Sequence, residues 1–335
     1  MKKIVFTIAL AFISMSGFAQ TADEAAAINK WIDVYAQLNE TKDWNKMVEQ
    51  AADCQKEAPS WEWLDYYLGL AYFNLGNYVN TLNEMTDFIS QIDTVSAAFM
   101  IRANAYVKEK DFNAALQDYN HVLKLKPSDV NALIELANLS LAQGDNDGYV
   151  ANLTEVLKVE PTNAEVLTNR GSAYAKSSKF EEAVADFAAA IAVKPTADLY
   201  INRAKVNFTM KTDASFEAAI NDCNEAEKLG MNDMDLYTLR LACNQSVKNY
   251  ANMVKDYDKM LEIGGENINI ILGRGVAKFQ MNDFKGAVAD MNIVIAQDPK
   301  NIKAYQVRAT SKTKLKDTAG AQADAAKIKE LQGGK

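Results

Sequence analysis

The sequence has one histidine, three cysteines and five prolines in 335 residues. His121 has no histidine or cysteine at metal-ligand spacing, which argues against zinc, and no serine has it within reach as a base. Glycine-rich phosphate loops are absent. Asp145-Asn146-Asp147-Gly148 has a faint calcium-loop pattern, but with Gly148 in the glycine place Thr154 stands where a bidentate acid is needed; the stretch reads better as a turn. Catalysis would have to rest on carboxylates alone, and their even scatter suggests solvated faces. The residues therefore point to no reaction, no cofactor and no metal. A basic surface is also missing: the formal net charge is −8, and a nucleic-acid partner needs a basic stripe to meet phosphates.

What is present is ordinary for a folded chain, with 49% hydrophobic and 24% charged residues, so long disorder is not expected. The first 19 residues stand apart. Lys2 and Lys3 open them, an apolar run follows from Ile4 to Met15, and Ser16-Gly17-Phe18-Ala19 places small residues as a signal peptidase requires. This segment resembles a Gram-negative Sec signal, cleaved between Ala19 and Gln20. The apolar run is short for a membrane span, and no cysteine follows the cut, so lipid attachment is not expected. Export to the periplasm or beyond is.

The five prolines fall in one column. Pro59, Pro127, Pro161, Pro195 and Pro299 are spaced by 68, 34, 34 and 104 residues, and a period near 34 marks stacked helical hairpins. The clearest copy spans 164–197. Its first helical pattern carries Leu167, Arg170, Gly171 and Tyr174, its second Ala183, Phe187, Ala190 and Ile191. Pro195 then closes the unit, having no N–H to continue a helix. Small residues recur in two columns, Gly69, Ala103, Ala137, Gly171, Ala204, Gly275 and Ala309, and Ala115, Ala183, Ala219, Ala287 and Ala321. They let the two helices of a hairpin approach. Aromatics fill the wider ends.

These hairpins resemble the tetratricopeptide repeat over nearly the whole of residues 20–335. The resemblance implies an all-α, right-handed superhelical solenoid and a non-catalytic adaptor that holds a protein or peptide in its groove. Nine repeats are expected, near 28–61, 62–95, 96–129, 130–163, 164–197, 198–233, 234–267, 268–301 and 302–333. The sixth is irregular, with extra residues expected to bulge from the turn at Thr209–Ser215. The polar last stretch, with its narrow stripe of Ala321, Ala325 and Ile328, suits a solvated terminal helix, ending in a frayed Gly-Gly-Lys. Cys54, Cys223 and Cys243 sit in helical patterns and read as small buried apolar residues. A Cys223–Cys243 disulfide is the alternative.

Two columns vary together. Arg102, Arg170, Arg203, Arg240, Arg274 and Arg308 occur in the same six repeats as Asp118, Asp186, Asp222, Asp256, Asp290 and Asp324. The other three carry Val34 with Gln50, Leu68 with Glu84, and Leu136 with Asn152. Pairing each aspartate with the next repeat's arginine would leave Asp118 facing Leu136, so the bridge is expected inside each hairpin, as a structural device.

The second repeat's first helix, Trp61 to Leu75, is apolar nearly all round. Leu64, Leu68, Ala71, Tyr72 and Leu75 make its packing side, leaving a second stripe of Trp63, Tyr66, Leu70 and Phe73. The family's first helices line the concave wall, so the stripe is expected to face the groove, continued by Met100, Asn104 and Val107 and by Ile134, Asn138 and Leu141. An apolar patch with a polar rim marks a partner surface, and Asn104 and Asn138 suit a peptide backbone because an amide both donates and accepts. Family members that clamp a chaperone's terminal carboxylate use basic residues that this wall lacks, Lys205 apart. The expectation is a scaffold for a protein or extended peptide of the cell envelope. A glycan- or polymer-binding groove with Trp63, Tyr66 and Phe73 as stacking platforms is the alternative.

Overall fold

A computed structural model describes residues 21–333, which contain 19 helices and no strand. The leader, with its cleavage point at Ala19, and the final Gly334-Lys335 lie outside the described residues. The chain divides into two compact units, Met1–Val159 and Glu160–Lys335, where the sequence reading counts one domain.

The first unit holds α1 (Ala22–Thr41), α2 (Trp44–Glu49), α3 (Ala51–Glu57), α4 (Trp63–Asn74), α5 (Tyr78–Gln91), α6 (Ser96–Lys108), α7 (Phe112–Leu125), α8 (Val130–Ala142) and α9 (Asn146–Val159). The second holds α10 (Ala164–Lys176), α11 (Phe180–Val193), α12 (Ala197–Met210), α13 (Asp213–Lys228), α14 (Met234–Ser246), α15 (Tyr250–Gly264), α16 (Ile268–Gln280), α17 (Phe284–Gln297), α18 (Ile302–Lys314) and α19 (Thr318–Gly333). In each unit consecutive helices pack as antiparallel hairpins and each hairpin packs on the next.

Local chemistry sets where the helices turn. Between the helices of most hairpins one residue takes positive φ, as at Gly76, Lys110, Gly144, Lys248, Asn282 and Lys316. The next is an Asn or Asp that caps the second helix, such as Asp111 accepting from the Ala114 amide at 3.1 Å. Asp145 does the same for Gly148 at 2.9 Å; the stretch 145–148, expected as a turn, is a capped helix start, with the turn itself at Gln143-Gly144. The cap satisfies an amide that the helix start leaves without a partner. First helices are capped likewise by Asp129, Asn163, Thr196, Asp233, Asn267 and Asn301.

The small columns do what close approach requires. A Cβ on Gly171 would stand 3.2 Å from the Asp186 Cβ and 3.3 Å from the Ala183 carbonyl oxygen. Ala115, Ala183, Ala219 and Ala287 are fully buried. Two expectations are corrected. The extra residues of the sixth repeat form no bulge: a capping box between Thr212 and Ser215 starts α13 at Asp213, ahead of the aromatic Phe216, and only Lys211 and Thr212 separate it from α12. The insertion is absorbed as helix. In the first repeat the second helix is split into α2 and α3 at Gln50, and α1 begins at Ala22, capped by Thr21.

All six arginine–aspartate pairs close inside their own hairpins, at 2.8 Å (Arg102–Asp118), 2.7 Å (Arg170–Asp186), 2.6 Å (Arg203–Asp222), 2.7 Å (Arg240–Asp256), 2.6 Å (Arg274–Asp290) and 2.5 Å (Arg308–Asp324). Five are two-pronged, Nε to one carboxylate oxygen and Nη2 to the other, the geometry that makes Arg–carboxylate pairs strong. The structure adds a link that the columns did not reveal. Nη1 of Arg102, Arg240, Arg274 and Arg308 reaches the preceding repeat's second helix, at Thr86, Asn224, Asp258 and Asn292. Each of these arginines therefore ties three helices.

Candidate partner-binding wall

In α4 only Asp65 and Asn74 are polar among twelve residues, WLDYYLGLAYFN. Leu64 and Leu68 are buried with Trp31, Tyr35, Met47, Cys54 and Trp61 of the first repeat, and Tyr67 packs on that cluster. The remaining stripe is only half open. Trp63, Tyr66 and Leu70 lie against Met85 and Phe88 of α5 and Ala98 of α6. The Trp63 and Tyr66 rings sit 5.2 and 5.4 Å from that of Phe88, and 5.3 Å from each other. Burial pushes the Tyr66 hydroxyl up to about 12. The expected bare stripe is thus a fixed aromatic layer that keeps one side open. Phe73, further along, rests on Tyr78 at 5.7 Å.

The other wall residues do not join this cluster. Met100 packs into two cores, one with Leu136 and Leu139, the other with Phe99, Val122 and Ala132. Asn104 accepts from the Tyr119 hydroxyl at 2.6 Å. Its Oδ1 is therefore spent on holding its own hairpin, and its amide N–H groups are what it can offer. Asn138 is exposed and donates to Glu135 at 3.4 Å, leaving its Oδ1 open. The two amides offer complementary halves of what a peptide backbone needs, rather than both halves each. Ile134 is half-buried and Leu141 is 47% exposed.

Beside the aromatic layer lies an acidic group without an arginine. Leu68 and Glu84 occupy the clamp columns here. Burial, then the neighbouring Asp65 and Asp87, push Glu84 up to about 7. Burial and Asp87 push Asp65 up to about 6, against a hydrogen bond from Gln91.

Other candidates resolve as packing. His121 is half-buried and stacks on Phe99 with ring centroids 4.0 Å apart. The cysteines are free and buried, with Cys223 and Cys243 in one core cluster. Burial pushes the thiols of Cys54 and Cys223 up to about 12 and that of Cys243 to about 11. Among the described residues no group of three or more His, Cys, Asp or Glu is placed to hold a metal ion, and no helix is long and apolar enough to cross a membrane.

The tetratricopeptide repeat family model matches residues 96–129 and 164–196. Among curated proteins, the chain is 23% identical over 256 residues to the mitochondrial import receptor subunit TOM70 of Rattus norvegicus, covering 73% of this chain and 42% of that protein. It is 22% identical over 213 residues to the DnaJ homolog subfamily C member 7 homolog of Schizosaccharomyces pombe, covering 58% and 44%. The chain thus spans less than half the length of these relatives. Among solved structures, the C-terminal part of a TPR repeat-containing protein from Cytophaga hutchinsonii matches 82% of this chain and 98% of its own, at 15% identity and a TM-score of 0.54, a likeness of fold. With a matched repeat in each unit and paired helices throughout the described residues, the chain carries tetratricopeptide repeats in both units.

Proposed function

We propose that this protein is a non-catalytic scaffold of the bacterial cell envelope that holds a protein or extended peptide on the first-helix wall formed by α4, α6 and α8. Tetratricopeptide repeat proteins are generally protein-interaction scaffolds and mostly non-catalytic. The observation that carries the assignment is α4: a helix with two polar residues in twelve, whose half-open rings are held in place by Phe88. Pre-set aromatic side chains lose little freedom on binding and make effective anchors. The nearby amides of Asn104 and Asn138 supply a donor and an acceptor for a peptide backbone. The envelope location rests on the leader pattern of residues 1–19.

Protein binding is favoured over glycan stacking because Trp63 and Tyr66 each spend part of their ring surface on Phe88. The test is affinity capture from the native envelope with the full chain and with Phe73→Ala and Asn138→Ala, whose side chains lie outside the Trp63–Phe88 cluster. A specific protein captured by the parent and lost in both variants supports the reading. Capture unchanged by either substitution, or tryptophan quenching by soluble glycans in its place, refutes it. Cell fractionation tests export: a chain beginning at Gln20 outside the cytoplasm is expected, and an intact Met1 chain inside it refutes that part.

A further inference from the structure

The clamps of the last three repeats have the same arginine and aspartate but differ in a third partner four residues after the arginine. In the eighth and ninth repeats that residue is a lysine: Lys278 donates to Asp290 Oδ2 and Lys312 to Asp324 Oδ2, both at 2.9 Å. In the seventh it is Asn244, whose Nδ2 donates to Asp256 Oδ2 at 3.1 Å. An asparagine is shorter than a lysine and brings no charge. Beside it lies a cleft of about 300 Å³ lined by Ile220, Asn224, Glu227, Arg240, Asn244, Asn252, Lys255 and Asp256.

Two observations say what the cleft lacks. Asn244 is fully buried, and its Oδ1 has no hydrogen-bond partner among the described residues. An orphan buried acceptor is costly, and turning the amide over would only set that oxygen against Asp256. The charges point the same way. Burial pushes the Asp256 carboxyl above the usual range, and Arg240 and Asn244 do not cancel it. Burial acts on Asp324 too, but hydrogen bonds from Arg308 and Lys312 outweigh it and hold that carboxyl low. The eighth and ninth clamps hold an ammonium group on the second carboxylate oxygen that the seventh lacks.

Arg240 cannot supply what is missing. Its Nε and Nη2 are on Asp256 and its Nη1 is on Asn224 and Glu227, and the carboxylates of Asp256 and Glu227 in the lining oppose an anion. Lys255 opposes a cation from the exposed edge, where Asn252 Oδ1 holds its ammonium at 3.2 Å. Ile220 gives a methylene chain an apolar wall.

We propose that the cleft between α13, α14 and α15 binds a primary alkylammonium group, whose head meets Asp256 and Asn244 Oδ1 and whose chain lies along Ile220. The head takes the place that Lys278 and Lys312 fill from within in the next two repeats. Its source is a lysine side chain or a free small amine.

The test is a solution NMR titration of the full chain with n-butylammonium, Nα-acetyl-lysine-methylamide, tetramethylammonium and acetamide. Saturable shifts confined to α13–α15 are expected with the first two and not with the last two, which lack an ammonium N–H or a charge. Binding of both amines shows that the cleft admits a polypeptide lysine; binding of butylammonium alone restricts it to free amines. Asn244→Lys, which copies the chain's own pattern and should fold, is expected to weaken butylammonium binding at least tenfold. Lys255→Gln is expected to tighten it. No saturable shift with either amine, an equal response to tetramethylammonium or acetamide, or binding unchanged in Asn244→Lys would show a cleft that holds only water and would overturn the proposal.

Discussion

The two units hold their hairpins by different means. In the second unit every hairpin carries the arginine–aspartate clamp, five in a row from Arg170 to Asp324. In the first unit only Arg102–Asp118 does. That unit contains instead all four tryptophans, Trp31, Trp44, Trp61 and Trp63, and its first two hairpins are joined through rings, Tyr35 lying 5.6 Å from Trp61 and 5.5 Å from Tyr67. A clamp joins two helices through charge and adds no apolar surface. An aromatic layer with one open side holds the hairpins together and still presents apolar surface. The proposed wall therefore lies where packing rather than charge carries the structure.

The comparison breaks most visibly at a clamp. Asp186 is 7% exposed and Arg170 18%, so removing the arginine strands a charge. Arg170→Ala should cost about 3 kcal/mol in chemical denaturation of the full chain. Arg170→Leu with Asp186→Asn, which copies Leu136 and Asn152 of the fourth repeat, should cost about 1 kcal/mol. A double variant as costly as the single one would show that the pair is no structural device. In the first unit the equivalent injury is loss of a ring. Trp63→Ala should cost about 2 kcal/mol, less than a fully buried tryptophan because one side is open. A negligible cost would mean that the Phe88 layer holds nothing together.

A smaller effect follows from Glu84 and Asp65. Their carboxyls are raised in the folded chain, to about 7 and about 6, so the folded state binds more protons than the unfolded one above pH 4 or so. The second hairpin should gain stability as pH falls from about 8 to about 5, read as slower amide exchange in α4 and α5, and Glu84→Gln should flatten that dependence. A loss of protection over the same range would reverse the assigned sign. The smallest perturbation uses the native thiols. In mild denaturant Cys54, beside the split helix of the first repeat, should be alkylated before Cys223 and Cys243, each reporting opening of its own unit. The opposite order would place the weaker region in the clamped unit.

The paired helices and the clamps were legible because both repeat at fixed spacing. The 34-residue column located the hairpins, and the absence of arginine wherever aspartate is absent was enough to pair Arg102 with Asp118 and its five counterparts. The turns are legible too, in Lys110-Asp111, Lys248-Asn249 and Asn282-Asp283, where a residue at positive φ precedes a capping Asn or Asp. Thr212 and Ser215, at capping-box spacing, mark a longer helix in the sixth repeat rather than a bulge. The wall was harder. Spacing along α4 tells which face Trp63, Tyr66 and Leu70 share, but not that Phe88 reaches across from the next helix to cover half of it. Asn104 hydrogen-bonding Tyr119, and His121 stacking on Phe99, likewise depend on side chains of different helices that no spacing rule brings together. The Asn244 cleft was visible only as an asparagine at the place that Lys278 and Lys312 hold in the next two repeats.

The central claim is that the first unit's wall, not the second unit's, carries the partner. A photo-crosslinking residue placed at Phe73 in one version of the full chain and at Gln245, on a first helix of the clamped unit, in another tests it directly in the native envelope. A discrete crosslinked protein from position 73, with little or none from position 245, is the predicted result. The same protein captured from position 245 and not from position 73 would contradict the account.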